Sequence, residues 1–139
     1  MATVYGVNAT KNNSPSHQNV ITGGQYGGRV HWMHDSYECS STASGTDIVL
    51  GGKIPAGAYI LPQSEIWFDD LGTITVNIGT SAGGTDLGSA VDMGSAAGSY
   101  KLYNSANFGT ALTAASQIHL TPLASATGTI RESILYVMP

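Results

Sequence analysis

Along most of this chain, apolar residues recur at every second position in short runs separated by glycine, serine and aspartate. Thr73–Ile78 (TITVNI) alternates strictly, with Ile74, Val76 and Ile78 on one face and Thr73, Thr75 and Asn77 on the other. That period predicts a half-buried strand. Thr129–Met138 is the longest candidate, placing Ile130, Ile134, Tyr136 and Met138 on one face, with Glu132 interrupting it. Leu135 and Val137 make its far end apolar on both sides, which suits a central strand or one covered by a partner. Val30–Glu38, Ile48–Leu50, Tyr59–Phe68 and Ile118–Leu120 read as further strands, with Tyr100–Tyr103 a weaker one. Pro62 removes a ladder donor, so Tyr59–Phe68 is expected to be an edge strand, bulged or split there. Ser40–Asp47, Gly51-Gly52, Gly79–Asp86 and Ser95–Ser99 read as turns. The one helical candidate is a weak turn near Thr85–Met93, limited by Gly88 and Gly94. About seven short strands so punctuated predict an all-β fold, an antiparallel, jelly-roll-like sandwich.

The first 28 residues break this pattern. A short apolar patch, Ala2–Val7, is followed by a polar run from Asn8 to Asn19 and then by Gly23-Gly24 and Gly27-Gly28. The expected organisation is an extended N-terminal arm over 1–28 and a sandwich domain over 29–139. The arm is read as ordering against a neighbouring subunit rather than fraying. Val4, Tyr5, Val7 and Tyr26 are the side chains it could bury, and Arg29 stands where the sandwich begins. These five are the candidate contact residues.

Composition narrows the function. Only 10% of the residues are charged, against roughly 25% in an ordinary soluble domain. Five Lys/Arg and nine Asp/Glu leave few groups to converge on a catalytic site. Many of the apolar residues are alanine, so the monomer's own core is expected to be modest and burial between subunits to add to it. The basic residues Lys11, Arg29, Lys53, Lys101 and Arg131 are scattered singly and the net charge is −4, which argues against nucleic acid as a partner. The longest apolar run, Ala58–Leu61, is far short of the ~20 residues of a membrane helix, so no membrane partner is expected. The opening residues lack a charged start followed by an apolar stretch, and no secretory signal is expected. Cys39 is the single cysteine, which excludes an intrachain disulfide and a cysteine metal cluster.

Four constellations invite a chemical reading, and each has a plainer one. Gly79-Thr80-Ser81-Ala82-Gly83 matches G-x-S-x-G and precedes Asp86, Asp92 and His119 in the order of a hydrolase triad. The nucleophile elbow needs a helix directly after it, and Gly84-Thr85-Asp86-Leu87-Gly88 is poor helix material. His31, His34, Asp35 and Glu38 hint at a metal, yet in a strand His31 and His34 point to opposite faces. Asp69-Asp70 before Leu71-Gly72 reads as turn chemistry rather than a calcium loop. Trp32, Trp67 and Phe68 could form a sugar-stacking platform, but core packing is the usual fate of aromatics on strands. No catalytic residue, metal ligand or cofactor is assigned.

VYGVNATKNNSP at the start, GGRVHWMHDSYE, IVLGGKIPAGAYIL and the ending ATGTIRESILYVM occur in an order that resembles small virion proteins of tailed bacteriophages, the head decoration or cement proteins. Gly79–Thr113 departs most from them. The resemblance implies a jelly-roll-like sandwich, assembly as a homotrimer, and seating on the capsid exterior at three-fold and quasi-three-fold positions. The partner would then be the major capsid protein, and the protein would be made in the host bacterial cytoplasm. The alternatives are a tail, neck or fibre component of the virion, or a carbohydrate-binding sandwich.

Overall fold

The computed structural model describes residues 1–6, 30–104 and 110–138. Among them every regular element is a strand, arranged in two five-stranded sheets. The first sheet runs in the order β1 (Thr3–Tyr5), β3 (Asp47–Ile54), β9 (Ser116–Pro122), β6 (Thr75–Gly79), β7 (Gly88–Asp92). The second runs β2 (Val30–Thr42), β10 (Ala126–Val137), β5 (Glu65–Phe68), β8 (Gly98–Lys101), with β4 (Tyr59–Ile60) also paired to β10. All pairings are antiparallel except β1 with β3, which is parallel.

The alternating positions read from sequence form the core between the sheets. Ile48, Leu50, Val76, Ile78, Ile118 and Leu120 of the first sheet are buried, as are Met33, Ile66, Ile130 and Ile134 of the second. The β2–β10 ladder is the longest, from Ala126 opposite Thr42 to Val137 opposite Val30. β10 is therefore a central strand. Pro62 splits Tyr59–Phe68 into β4 and β5, and Leu61 N–H still reaches the Leu135 carbonyl at 2.9 Å.

Three local expectations are corrected. Gly51-Gly52 is not a turn: it lies inside β3, where Gly51 takes φ +67° and the pairing with β9 shifts between Leu50 and Ile54. A glycine bulge lets the strand continue past an extra residue. Thr85–Met93 holds no helical turn, because Gly88–Asp92 pairs as β7 with β6, joined by Val76 opposite Val91. Tertiary pairing overrides the weak local signal there. The weak strand at Tyr100–Tyr103 is displaced to Gly98–Lys101, where the backbone faces β5.

Within the proposed arm, Thr3–Tyr5 adds an edge strand to β3, flanked by Asp47 N–H to the Ala2 carbonyl at 2.8 Å and Gly6 N–H to the Val49 carbonyl at 2.7 Å. Val4 packs against the core, whereas Tyr5 stays 43% exposed. Val7, Tyr26 and Arg29 lie outside the described residues.

Candidate functional surface

The motifs that suggested chemistry resolve into loop and strand structure. Ser81 is exposed in the β6–β7 loop, and Asp86 holds that loop rather than a histidine: its carboxylate accepts from Thr80 N–H at 2.9 Å and Thr80 Oγ1 at 2.7 Å. His119 Nδ1 is instead 2.8 Å from Asp47 Oδ1, a buried acid on β3. Asp92 accepts from Gly94 and Ser95 N–H and from the Ser95 hydroxyl. The Ser95 hydroxyl, then the Gly94 N–H, hold its carboxyl below the ordinary range. Open clefts of about 370 and 270 Å³ contain the acids Asp92 and Asp86 respectively. Both acids are thus already engaged in shaping loops.

His31 and His34 fall on opposite faces of β2. His31 stacks on Tyr136, its cross-strand partner, at 5.0 Å, while His34 lies outward against Trp32, also at 5.0 Å. No group of three or more His, Cys, Asp or Glu able to hold a metal occurs among the described residues. Asp69 and Asp70 organise the loop after β5: Asp70 accepts from Gly72 N–H at 3.0 Å, and Asp69 from Thr129 N–H at 3.1 Å. The Thr129 N–H, followed by the Arg131 guanidinium, lowers the Asp69 carboxyl below its usual range.

The tryptophans correct the sequence reading. Phe68 is buried, but Trp32 and Trp67 are 51% and 42% exposed. Strand alternation explains it. Met33 takes the inner face beside Trp32, and Ile66 and Phe68 take it around Trp67. Both tryptophans therefore stand on the outer face of the second sheet. Trp32 Nε1–H donates to Ser133 Oγ at 2.9 Å, and Trp67 lies opposite Arg131. Near this face Lys101 pairs with Glu65 at 2.7 Å and Arg131 with Asp69 at 3.2 Å, and Glu38 stands exposed on it. Such exposed pairs add little stability. Val30 and the two tryptophans are exposed large apolar residues on this face, and aromatic side chains are of the type enriched at protein interfaces.

A buried acid pair went unread in the sequence. Asp35 on β2 and Glu132 on β10 are cross-strand partners on the inner face, both almost fully buried. The available signal was Glu132 itself, an acid standing where the period of β10 demands an apolar residue.

The fold is a two-sheet β-sandwich, and solved structures share it. A chain in the capsid of Ralstonia phage GP4 superposes with a TM-score of 0.70 at 20% sequence identity, covering 99% of this chain and 99% of that one. A chain in the capsid asymmetric unit of cyanophage Pam1 gives a TM-score of 0.58 at 21% identity, covering 91% of this chain and 97% of that one. No protein-family model matches the sequence, and neither does any curated protein.

Proposed function

We propose that this protein is a structural component of a bacteriophage virion, seated on the outside of the head as a decoration or cement protein. The observation that carries this reading is the end-to-end correspondence with a chain in the capsid of Ralstonia phage GP4, over 99% of both chains. Such coverage makes the sandwich as a whole, not a module within it, the unit being compared. The low charge content and the engaged acids of the two clefts agree with a molecule that works by contact.

In this reading the protein assembles as a homotrimer and binds the major capsid protein, with no cofactor, nucleic acid or membrane involved. Val4, Tyr5, Val7, Tyr26 and Arg29 are the residues proposed to meet neighbouring subunits or the shell. Packaged DNA pushes outward on many weakly joined subunits. A trimer engages them through three copies of one surface, and linked contacts gain strength through raised effective concentration. Neutral contacts also hold when salt changes, because there is little charge to screen.

The test is a cryo-EM reconstruction of the parent particle with and without this protein. Density on the head exterior that disappears in its absence, with earlier DNA release on heating, is the expected result. Density confined to the tail or neck would overturn the assignment. A second reading, a glycan-binding sandwich, draws on the outward Trp32 and Trp67. It requires glycans to quench tryptophan fluorescence, and a glycan array without hits would remove it.

A further inference from the structure

We infer that Glu132 is held protonated across from Asp35, and that this proton latches β1 onto the sandwich, making its attachment sensitive to alkali. The two acids face each other across the β2–β10 ladder. Directly opposed residues of an antiparallel pair have Cβ atoms about 4.5–5.5 Å apart. Glu132 is 2% exposed, and neither of its carboxyl oxygens has a hydrogen-bond donor. Asp35 differs: its Oδ1 accepts from Ser36 N–H and its Oδ2 from Gly51 N–H, both at 2.8 Å.

A buried carboxylate with no hydrogen-bond donor strongly disfavours its charged form, and an acid across the ladder adds to this. Asp35 receives two backbone N–H groups. Glu132 receives none, so it carries a proton. Burial, followed by the charge of Asp35, raises the Glu132 carboxyl well above its ordinary range. The other elements around Glu132 bring it no compensating cation among the described residues. β3 presents the Gly51 bulge, where an added Cβ would stand 2.9 Å from Glu132 Oε2 and 3.4 Å from Met33 Sδ. Lys53 on that strand points to solvent, and Gln117 on β9 donates to the Gly51 carbonyl. β5 places Ile66 opposite Glu132. His31, on the same face of β2, is stacked on Tyr136.

The link to β1 is Gly6. It packs so closely over the Asp35 carboxyl that an added Cβ would overlap Oδ2, Cγ and Leu50 Cδ2. Ionising Glu132 would drive two like charges apart beneath this residue. β1 is three residues long and pairs only with β3 among the described residues, so it is the element that yields.

The sign follows from proton linkage. A carboxyl raised in the folded state contributes stability that is fully present below the unfolded value, about 4.3. That stability is lost as pH rises through the folded value. In that window one proton is released on unfolding, so the folding constant falls by up to tenfold per pH unit. The experiment is urea unfolding from pH 5 to pH 10 on wild type and Glu132→Gln, with hydrogen exchange of the β1 amides compared at each pH. The wild type should lose stability more steeply with rising pH than E132Q, and its β1 protection should fall where that of E132Q does not. Equal slopes, or equal β1 protection at every pH, would overturn the inference. A measurement on the wild type alone guards against a misfolded variant. Its infrared spectrum at pH 7 should contain the carbonyl band of a protonated carboxylic acid, and absence of that band also refutes the proton on Glu132.

Discussion

The Ser64 hydroxyl stands in for a missing rung beside Leu135: it donates to the Leu135 carbonyl at 2.9 Å and accepts from the Leu135 N–H at 3.0 Å. Pro62 interrupts the strand that would otherwise have supplied these bonds. The fully buried Ser64 restores both with one side chain. Ser64→Ala leaves the Leu135 N–H unsatisfied, while Leu61 N–H still serves its carbonyl. Losing one buried partner destabilises by about 1–3 kcal/mol. Urea unfolding should show that loss with an unchanged m-value, since no further surface is exposed.

Gly94 marks a place where the fold admits no side chain. An added Cβ would overlap the Gly72 carbonyl and the Ile74 nitrogen, both backbone atoms that cannot swing aside. Gly94→Ala is therefore expected to prevent soluble expression or to lower the thermal midpoint sharply. Gly57→Ala is the control: its Cβ would meet nothing within 4 Å, and only the φ of +86° opposes it. That penalty is about 1–2 kcal/mol. Equal behaviour of the two variants in a thermal melt would contradict the packing described at Gly94.

Cys39 is buried, and that burial pushes its thiol up, opposed in smaller measure by the Thr42 hydroxyl. The thiolate is the reactive form, so a water-soluble disulfide reagent should label Cys39 only as the protein unfolds. In urea the labelling curve should coincide with loss of secondary structure. Rapid labelling of the native protein would show that the β2 end opens locally.

Period and turn chemistry made most of the sandwich legible before any coordinates. The alternation of Ile74, Val76 and Ile78, and the split at Pro62, needed only local rules. The rest depended on neighbours. Gly51 reads as a turn until β9 pairs on either side of it, and Gly88–Asp92 has no strand signal apart from β6. The average fate of aromatics points Trp32 and Trp67 inward, although the same alternation, applied through Met33 and Ile66, turns them outward. The Asp35–Glu132 pair needed the β2–β10 register, which no single strand contains.

The proposed contact role of the N-terminal segment can be separated from its structural role by two neighbouring residues. Val4 packs against the core, so Val4→Ala should lower monomer stability, by about 0.5–1.5 kcal/mol if the loss resembles that of small buried methyl groups. Tyr5 is 43% exposed on the other side of the same strand, and Tyr5→Ala should leave unfolding within about 0.5 kcal/mol of wild type. If Tyr5 meets a neighbouring subunit or the shell, its loss removes an aromatic anchor of the type that dominates interfaces. Sedimentation should then show a weaker trimer, or shells lacking the protein should bind the variant at least tenfold more weakly. Unchanged assembly and shell binding for Tyr5→Ala would exclude Tyr5 as a contact, leaving β1 with the structural role that Val4 reports.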